Sequence, residues 1–218
     1  MAVSTLKAGD MSLHHEQGSH NRRKLFELLG IESSRVASLT QVHSKKIVLA
    51  EDGDAVKHRE GDGLITNNRN TILSVTVADC VPIFLYTPTG DCFGLVHSGW
   101  KGTGIAAGCV NQMEKRFDVK AEQLSAVIGP SIGPCCYNVD APRAEQFAMM
   151  WGDESAILRG GTHYIDLRKA NVRLLEQAGV QNILVAENCT CCDPIFGSYR
   201  RQGPDDCTKM VALIGYFK

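Results

Sequence analysis

Between residues 63 and 97 the chain carries four short apolar runs, at 63–66, 71–77, 83–86 and 92–97, separated by Asn, Asp, Pro and Gly. Each is too short for a helix and most are rich in β-branched residues, so each predicts a buried strand. The period then changes. Ile105, Cys109, Val110, Met113 and Phe117 recur at three- and four-residue steps, which predicts an amphipathic helix over 103–117. Strands made this apolar need cover, and helices interleaved with them are the obvious source of it.

The same reading adds strands at 46–51, 124–128, 182–186 and 210–216, a short extended piece at 164–167, and helices at 19–29, 141–151 and 166–178. Strands outnumber helices by about two to one and the two are intermixed, so the class is α/β in the α+β sense: layered mixed β-sheets covered by helices. The alternation is too irregular for a doubly wound sheet or a TIM barrel. With 218 residues and no repeat, low-complexity tract or Pro/Ser-rich linker, one domain over 1–218 is expected. Residues 1–18 are polar and expected to be poorly ordered.

Charge narrows the partners. Twenty-three Lys and Arg against 24 Asp and Glu leave a net charge of −1, which removes the electrostatic case for nucleic acid or an anionic membrane. The longest weakly charged stretch, 71–88, is broken by Asp79 and Pro82 and falls short of the ~20 apolar residues of a membrane span. Lys7 and Asp10 interrupt the opening residues, so no secretory leader is expected and the cytoplasm is the expected compartment. Small neutral or phosphorylated molecules remain as ligands, and the number of subunits is left open.

Nine cysteines cannot all pair within one chain, so reduced thiols, metal ligands or a nucleophile are expected. His43, Cys80 and His97 each end an apolar run, and two imidazoles with one thiolate suit a catalytic zinc that keeps a fourth position open. The bland alternative is two core histidines and a core cysteine. Asp79, beside Cys80, is the nearest carboxylate for acid–base work. Gly99, Lys101, Gly102 and Gly104 surround the start of the 103–117 helix, where free N–H groups and a positive charge would suit a phosphate. Arg200 and Arg201 beside Tyr199 would suit a phosphate or a planar base, or simply form a solvated basic turn. Cys135, Cys136, Cys189 and Cys192 invite a structural zinc, but adjacent cysteines do not easily reach one ion and the first pair lacks C-x-x-C spacing. His14, His15, His20 and His58 read as surface residues.

Seven ordered blocks carry a resemblance: Q-V-H at 41–43, G-D-G-L-I-T at 61–66, A-D-C-V-P at 78–82, H-S-G-W-K-G-T at 97–103, I-G-P-S-I-G-P-C-C-Y at 128–137, C-T-C-C-D-P at 189–194 and S-Y-R-R-Q-G at 198–203. The chain resembles the YfiH family, also labelled polyphenol oxidase or laccase-domain proteins and later recognised as purine nucleoside phosphorylases. The resemblance implies a YfiH-like fold and a zinc held at the positions of His43, Cys80 and His97, with copper as the alternative metal. It implies phosphorolysis of adenosine, inosine, guanosine and methylthioadenosine, with adenosine deamination as a second reaction and Asp79 as the catalytic carboxylate. Lys101, Arg200 and Arg201 are the expected substrate-binding cations. Relatives commonly have a longer N-terminal substrate segment, which this chain enters near Gly9, so completeness of the substrate site is in question. Two other chemistries fit the same residues: a cysteine hydrolase using Cys80 with a histidine base, and copper-dependent phenol oxidation.

Overall fold

A computed structural model describes residues 1–13 and 15–217; His14 lies outside the described residues. In chain order the strands begin with β1 (Ala2–Val3), β2 (Val36–Ser38), β3 (Ile47–Leu49), β4 (Gly63–Thr66), β5 (Ile72–Val77), β6 (Val81–Tyr86) and β7 (Phe93–Ser98). They continue with β8 (Ser125–Ile128), β9 (Asn138–Val139), β10 (Ala156–Arg159), β11 (Thr162–Ile165), β12 (Asn182–Val185) and β13 (Met210–Ile214). The helices are α1 (Glu16–Leu28), α2 (Ile105–Phe117), α3 (Ala141–Trp151), α4 (Leu167–Gln177) and α5 (Tyr199–Gln202).

Three sheets form. A six-stranded sheet runs β12-β8-β6-β7-β4-β3, a four-stranded sheet runs β1-β13-β5-β2, and β10-β11-β9 make a small third sheet. Parallel and antiparallel pairs mix in both larger sheets, as β3 with β4 and β2 with β5 are parallel while β6 with β7 and β13 with β5 are antiparallel.

Period-2 alternation sorts the side chains into layers. Leu73, Val75 and Val77 of β5 and Met210, Ala212 and Ile214 of β13 pack against Phe84, Phe93 and Leu95 of the larger sheet. The opposite face of the smaller sheet, with Ile72, Val211 and Leu213, packs on Met11, Phe26 and Ile31. On the far side of the larger sheet, Ile83, Leu85 and Val96 meet Ile105, Cys109 and Met113 of α2 together with side chains of α3 and α4. The order is therefore helix, sheet, sheet, helices, as expected for layered mixed sheets.

Four expectations shift. The described residues of the stretch expected to be poorly ordered, 1–13 and 15–18, carry structure: β1 pairs with β13, α1 starts at Glu16, and Met11 is fully buried because it plugs the outer face of the smaller sheet. The helix expected from residue 103 starts at Ile105, since Gly104 sits at φ 97° and Thr103 instead turns its hydroxyl back onto the Gly99 carbonyl at 3.0 Å. Of the β10–β11 hairpin only the end of β11 was expected, as the extended piece at 164–167, and the short α5 was missed.

Register carries the chain to the site. His97 stands opposite Pro82 across β6 and β7, and on the pleat it shares the inter-sheet face with Phe93 and Leu95. Cys80, just before β6, keeps the parity of Phe84. Both side chains therefore emerge at one end of the space between the sheets.

Candidate metal centre

His43, on the loop between β2 and β3, joins Cys80 and His97 there: their ligand atoms all lie within 4.8 Å of one another. The two imidazoles meet edge to face with centroids 4.8 Å apart. His43 at φ 56° and Asp79 at φ 81° are two of the four non-glycine residues at positive φ among the described residues. Such conformations cost about 1–3 kcal/mol each and persist where surrounding structure enforces them.

For His43 the enforcing group is Asp62, which sequence reasoning missed. Fully buried, it accepts hydrogen bonds from the backbone N–H groups of His43 at 3.1 Å and Ser44 at 2.6 Å and from the Ser44 hydroxyl at 2.8 Å, while its Oδ1 lies 2.9 Å from His97 Nδ1. One carboxylate thus shapes the His43 loop and orients the His97 ring. With Nδ1 occupied, Nε2 is the His97 atom left for an ion, the usual arrangement around a metal-bound imidazole. The clue in the sequence was an acidic residue between two glycines immediately before a strand, with nothing to say what it faced.

The electrostatics agree. Burial would raise Asp62, but the hydrogen bonds from His97 and Ser44 outweigh it and bring its pKa to about 2. Burial likewise opposes ionisation of Cys80, yet the neighbouring His97 and His43 imidazoles lower its thiol to about 6. His97, which burial alone would lower, is raised to about 9 by the Cys80 sulfur and Asp62. A thiolate and an imidazolium side by side are a pair that a divalent cation would take over with release of the imidazolium proton. Two imidazole nitrogens and one thiolate fit zinc, and a three-ligand set leaves a position for water or substrate.

The three side chains open into a cavity of about 610 Å³ that Asp79 also lines. Asp79 is held on both oxygens: Oδ1 accepts from the Thr190 hydroxyl and Oδ2 from the Arg200 backbone N–H, each at 2.7 Å. The Arg200 side chain reaches the cavity wall, with its guanidinium 5.4 Å from the Tyr137 ring centroid and bonded to the Cys136 carbonyl at 3.1 Å, to the Asn138 carbonyl at 3.2 Å and to the Asn138 side-chain oxygen, so it lends charge to the cavity while fixed to the wall. Arg143 and Lys209 line the same space and had not been singled out, because nothing local distinguishes them from surface cations.

Lys101 and Arg201 are placed elsewhere. Lys101 is exposed on the turn before α2 and does not line the cavity. Arg201 spends its guanidinium on the carbonyls of Thr190 at 2.7 Å, Cys191 at 2.9 Å and Asp193 at 3.2 Å, and on that of Phe196, so it braces a loop. Nor does the start of α2 face the cavity: a Cβ on Gly104 would meet Trp151 and Lys45. The turn at Gly99 instead closes the back of the centre, where a Cβ would stand 2.8 Å from Cys80 Sγ.

Comparison with known proteins agrees with this architecture. Residues 5–216 match the family described as multi-copper polyphenol oxidoreductase laccase. The chain is 34% identical over 213 residues to the purine nucleoside phosphorylase YlmD of Geobacillus stearothermophilus, covering 90% of this chain and 77% of that one. A purine nucleoside phosphorylase of Deinococcus radiodurans is 35% identical over 199 residues, covering 90% and 76%. The crystal structure of YlmD from Geobacillus stearothermophilus superposes with a TM-score of 0.88 at 33% identity, over 99% of this chain and 91% of that one.

Proposed function

This chain belongs to the polyphenol oxidoreductase laccase family, and from that membership and the geometry of its centre we propose that it is a zinc-dependent purine nucleoside phosphorylase. The observation that carries the proposal is a His–Cys–His group opening into a cavity of about 610 Å³ whose wall also holds a pinned carboxylate and three cations. That volume lies in the range of sites that enclose a drug-sized ligand, roughly 300–1,000 Å³, and so suits a nucleoside together with phosphate.

In phosphorolysis an oxygen of hydrogen phosphate bonds to the anomeric carbon of the ribose as the bond to the purine nitrogen breaks, and the proton given up by the phosphate ends on the departing base. A zinc ion on His43, Cys80 and His97 would supply polarisation of phosphate or water when bound. Asp79 accepts a hydrogen bond on each oxygen, which fixes the carboxylate in the cavity wall to order the nucleophile or to deliver a proton to the purine. Arg200, Arg143 and Lys209 place positive charge around the cavity for the phosphate, and they replace Lys101 and Arg201 as the expected substrate cations. Tyr137 and Tyr199 offer flat apolar faces to the base. Adenosine, inosine, guanosine and methylthioadenosine are the expected substrates. Deamination of adenosine is the expected second reaction: water adds at the amino-bearing carbon, ammonia leaves, and Asp79 moves the proton.

The test is product analysis. Zinc-loaded protein given inosine and phosphate should release hypoxanthine and ribose 1-phosphate, and Cys80→Ala or His97→Ala should lower turnover by roughly a hundredfold or more. Absence of hypoxanthine from fully loaded protein, or undiminished turnover in Cys80→Ala, would overturn the proposal.

One observation favours a second reading. A thiol at about 6 between two imidazoles is also the setting of a cysteine nucleophile. That alternative requires hydrolase activity that persists after chelation, with rapid alkylation of Cys80 abolishing it. Copper-dependent phenol oxidation is less well served, because the described residues bring together only one histidine-containing ligand group. Copper removal that ends phenol oxidation while phosphorolysis continues would mark the oxidation as incidental.

A further inference from the structure

Behind the cavity, two loops bring four sulfur atoms together. We propose that Cys135, Cys136, Cys189 and Cys192 bind a second metal ion, a thiophilic divalent cation such as zinc, at a four-sulfur site distinct from the His–Cys–His centre.

The distances fit such an ion. All four sulfurs lie within 4.8 Å of one another, with Cys192 Sγ 3.6 Å from that of Cys135 and 3.3 Å from that of Cys136. Tetrahedral zinc with bonds of about 2.3 Å sets its sulfurs about 3.8 Å apart. Adjacency of Cys135 and Cys136 argued in the sequence against a shared ion. The chain resolves that objection by a tight turn in which the N–H groups of both Cys136 and Tyr137 donate to the Gly133 carbonyl at 3.0 Å, bending both sulfurs toward Cys192.

Backbone polarity points the same way. The Gly133 N–H donates to Cys189 Sγ at 3.2 Å, while the N–H groups of Cys192 and Asp193 donate to the Cys189 carbonyl at 3.1 and 2.9 Å and curl the C-x-x-C segment into a tight turn. An amide donor aimed at a cysteine sulfur is a usual companion of a sulfur that ligates. Gly133 lies close to the cluster: a Cβ there would sit 3.2 Å from Cys135 Sγ and 2.8 Å from the tip of Arg168. Four thiolates around a divalent ion carry a net charge of −2, and guanidiniums surround them. Arg201 bonds to the Cys191 carbonyl at 2.9 Å, Arg200 to that of Cys136 at 3.1 Å, and Arg168 abuts the turn.

A consequence follows for the cavity. Thr190, inside the C-x-x-C segment, donates to Asp79, and Arg201 ties that segment to α5, whose Arg200 N–H donates to the same carboxylate. The second ion would lock the loops that position Asp79. This consequence rests on the catalytic reading of Asp79, whereas the metal site itself does not.

The experiment counts metals. Protein purified in reducing buffer without chelator is measured by native mass spectrometry and elemental analysis, and two ions per chain are expected. Cys192→Ser and Cys136→Ser should each lose one ion, and His43→Ala should lose the other. Cobalt(II) substitution should give the charge-transfer bands of a four-sulfur site, retained in His43→Ala and lost in Cys192→Ser; in unaltered protein this readout stands even where a cysteine variant fails to fold. A single ion per chain without the four-sulfur spectrum would overturn the proposal. So would an intact mass two hydrogens low with Cys136 and Cys192 cross-linked, which would make the cluster a disulfide pair.

Discussion

Asp62 shows how one side chain governs the centre. It bonds to the ring of one ligand and to the backbone of another, so Asp62→Asn should weaken metal affinity by about 10–100-fold while the fold persists, as read by competition with a chromophoric chelator. Its depressed pKa has a sign. The carboxylate stabilises the folded chain above the ordinary Asp range near 3.8, and that contribution is lost as pH falls toward about 2. Acid titration of metal-free protein should therefore show a loss of stability in that window, flattened in Asp62→Asn. Gly99→Ala belongs to the same scale: its Cβ would press on Cys80 Sγ, so bound metal should fall more than melting temperature does. His43, Cys80, His97 and Asp79 were legible because rare ligand types closing apolar runs stand out. Asp62, Arg143 and Lys209 were not, since their partners lie far along the chain.

At the level of elements, strands β4 to β7 and helices α2, α3 and α4 follow the periodicity read from the chain within a few residues, because half-buried strands and amphipathic helices write their burial into the spacing of apolar side chains. The β10–β11 hairpin escaped although Gly160 and Gly161, at φ 57° and 76°, are the two-residue turn that right-handed strand twist prefers. β10 is largely exposed, so no apolar run announced it, and of the half-buried β11 only the end was read, as the extended piece at 164–167. Between β7 and α2 the packing is close. A Cβ on Gly94 would lie 2.8 Å from Cys109 Sγ and 3.2 Å from Ile65, so Gly94→Val should lift the helix from the sheet at a cost of about 1–3 kcal/mol, seen as a lower urea midpoint.

Across the whole molecule, the four layers hold the cavity at one end of the inter-sheet space, and the N-terminal stretch helps to close it. Ser12 and Leu13 line the cavity, and the neighbouring Met11 is fully buried under α1. Met11→Ala should cost about 2–5 kcal/mol in chemical unfolding, a penalty that a loosely ordered terminus would not pay. No helix among the described residues is long and apolar enough to cross a membrane. Local chemistry alone sufficed for the class of the fold, the main strands and helices, and the residue types able to hold a metal, since each depends on neighbours a few positions away. Tertiary pairing decided the rest. Cys80 and His97, 17 residues apart, meet because β6 and β7 pair in one register; His43, 37 residues before Cys80, joins them through the Asp62 hydrogen bonds; the paired cysteines converge with the C-x-x-C segment only through a turn at Gly133; and Arg201 becomes a brace where Arg200 reaches the cavity.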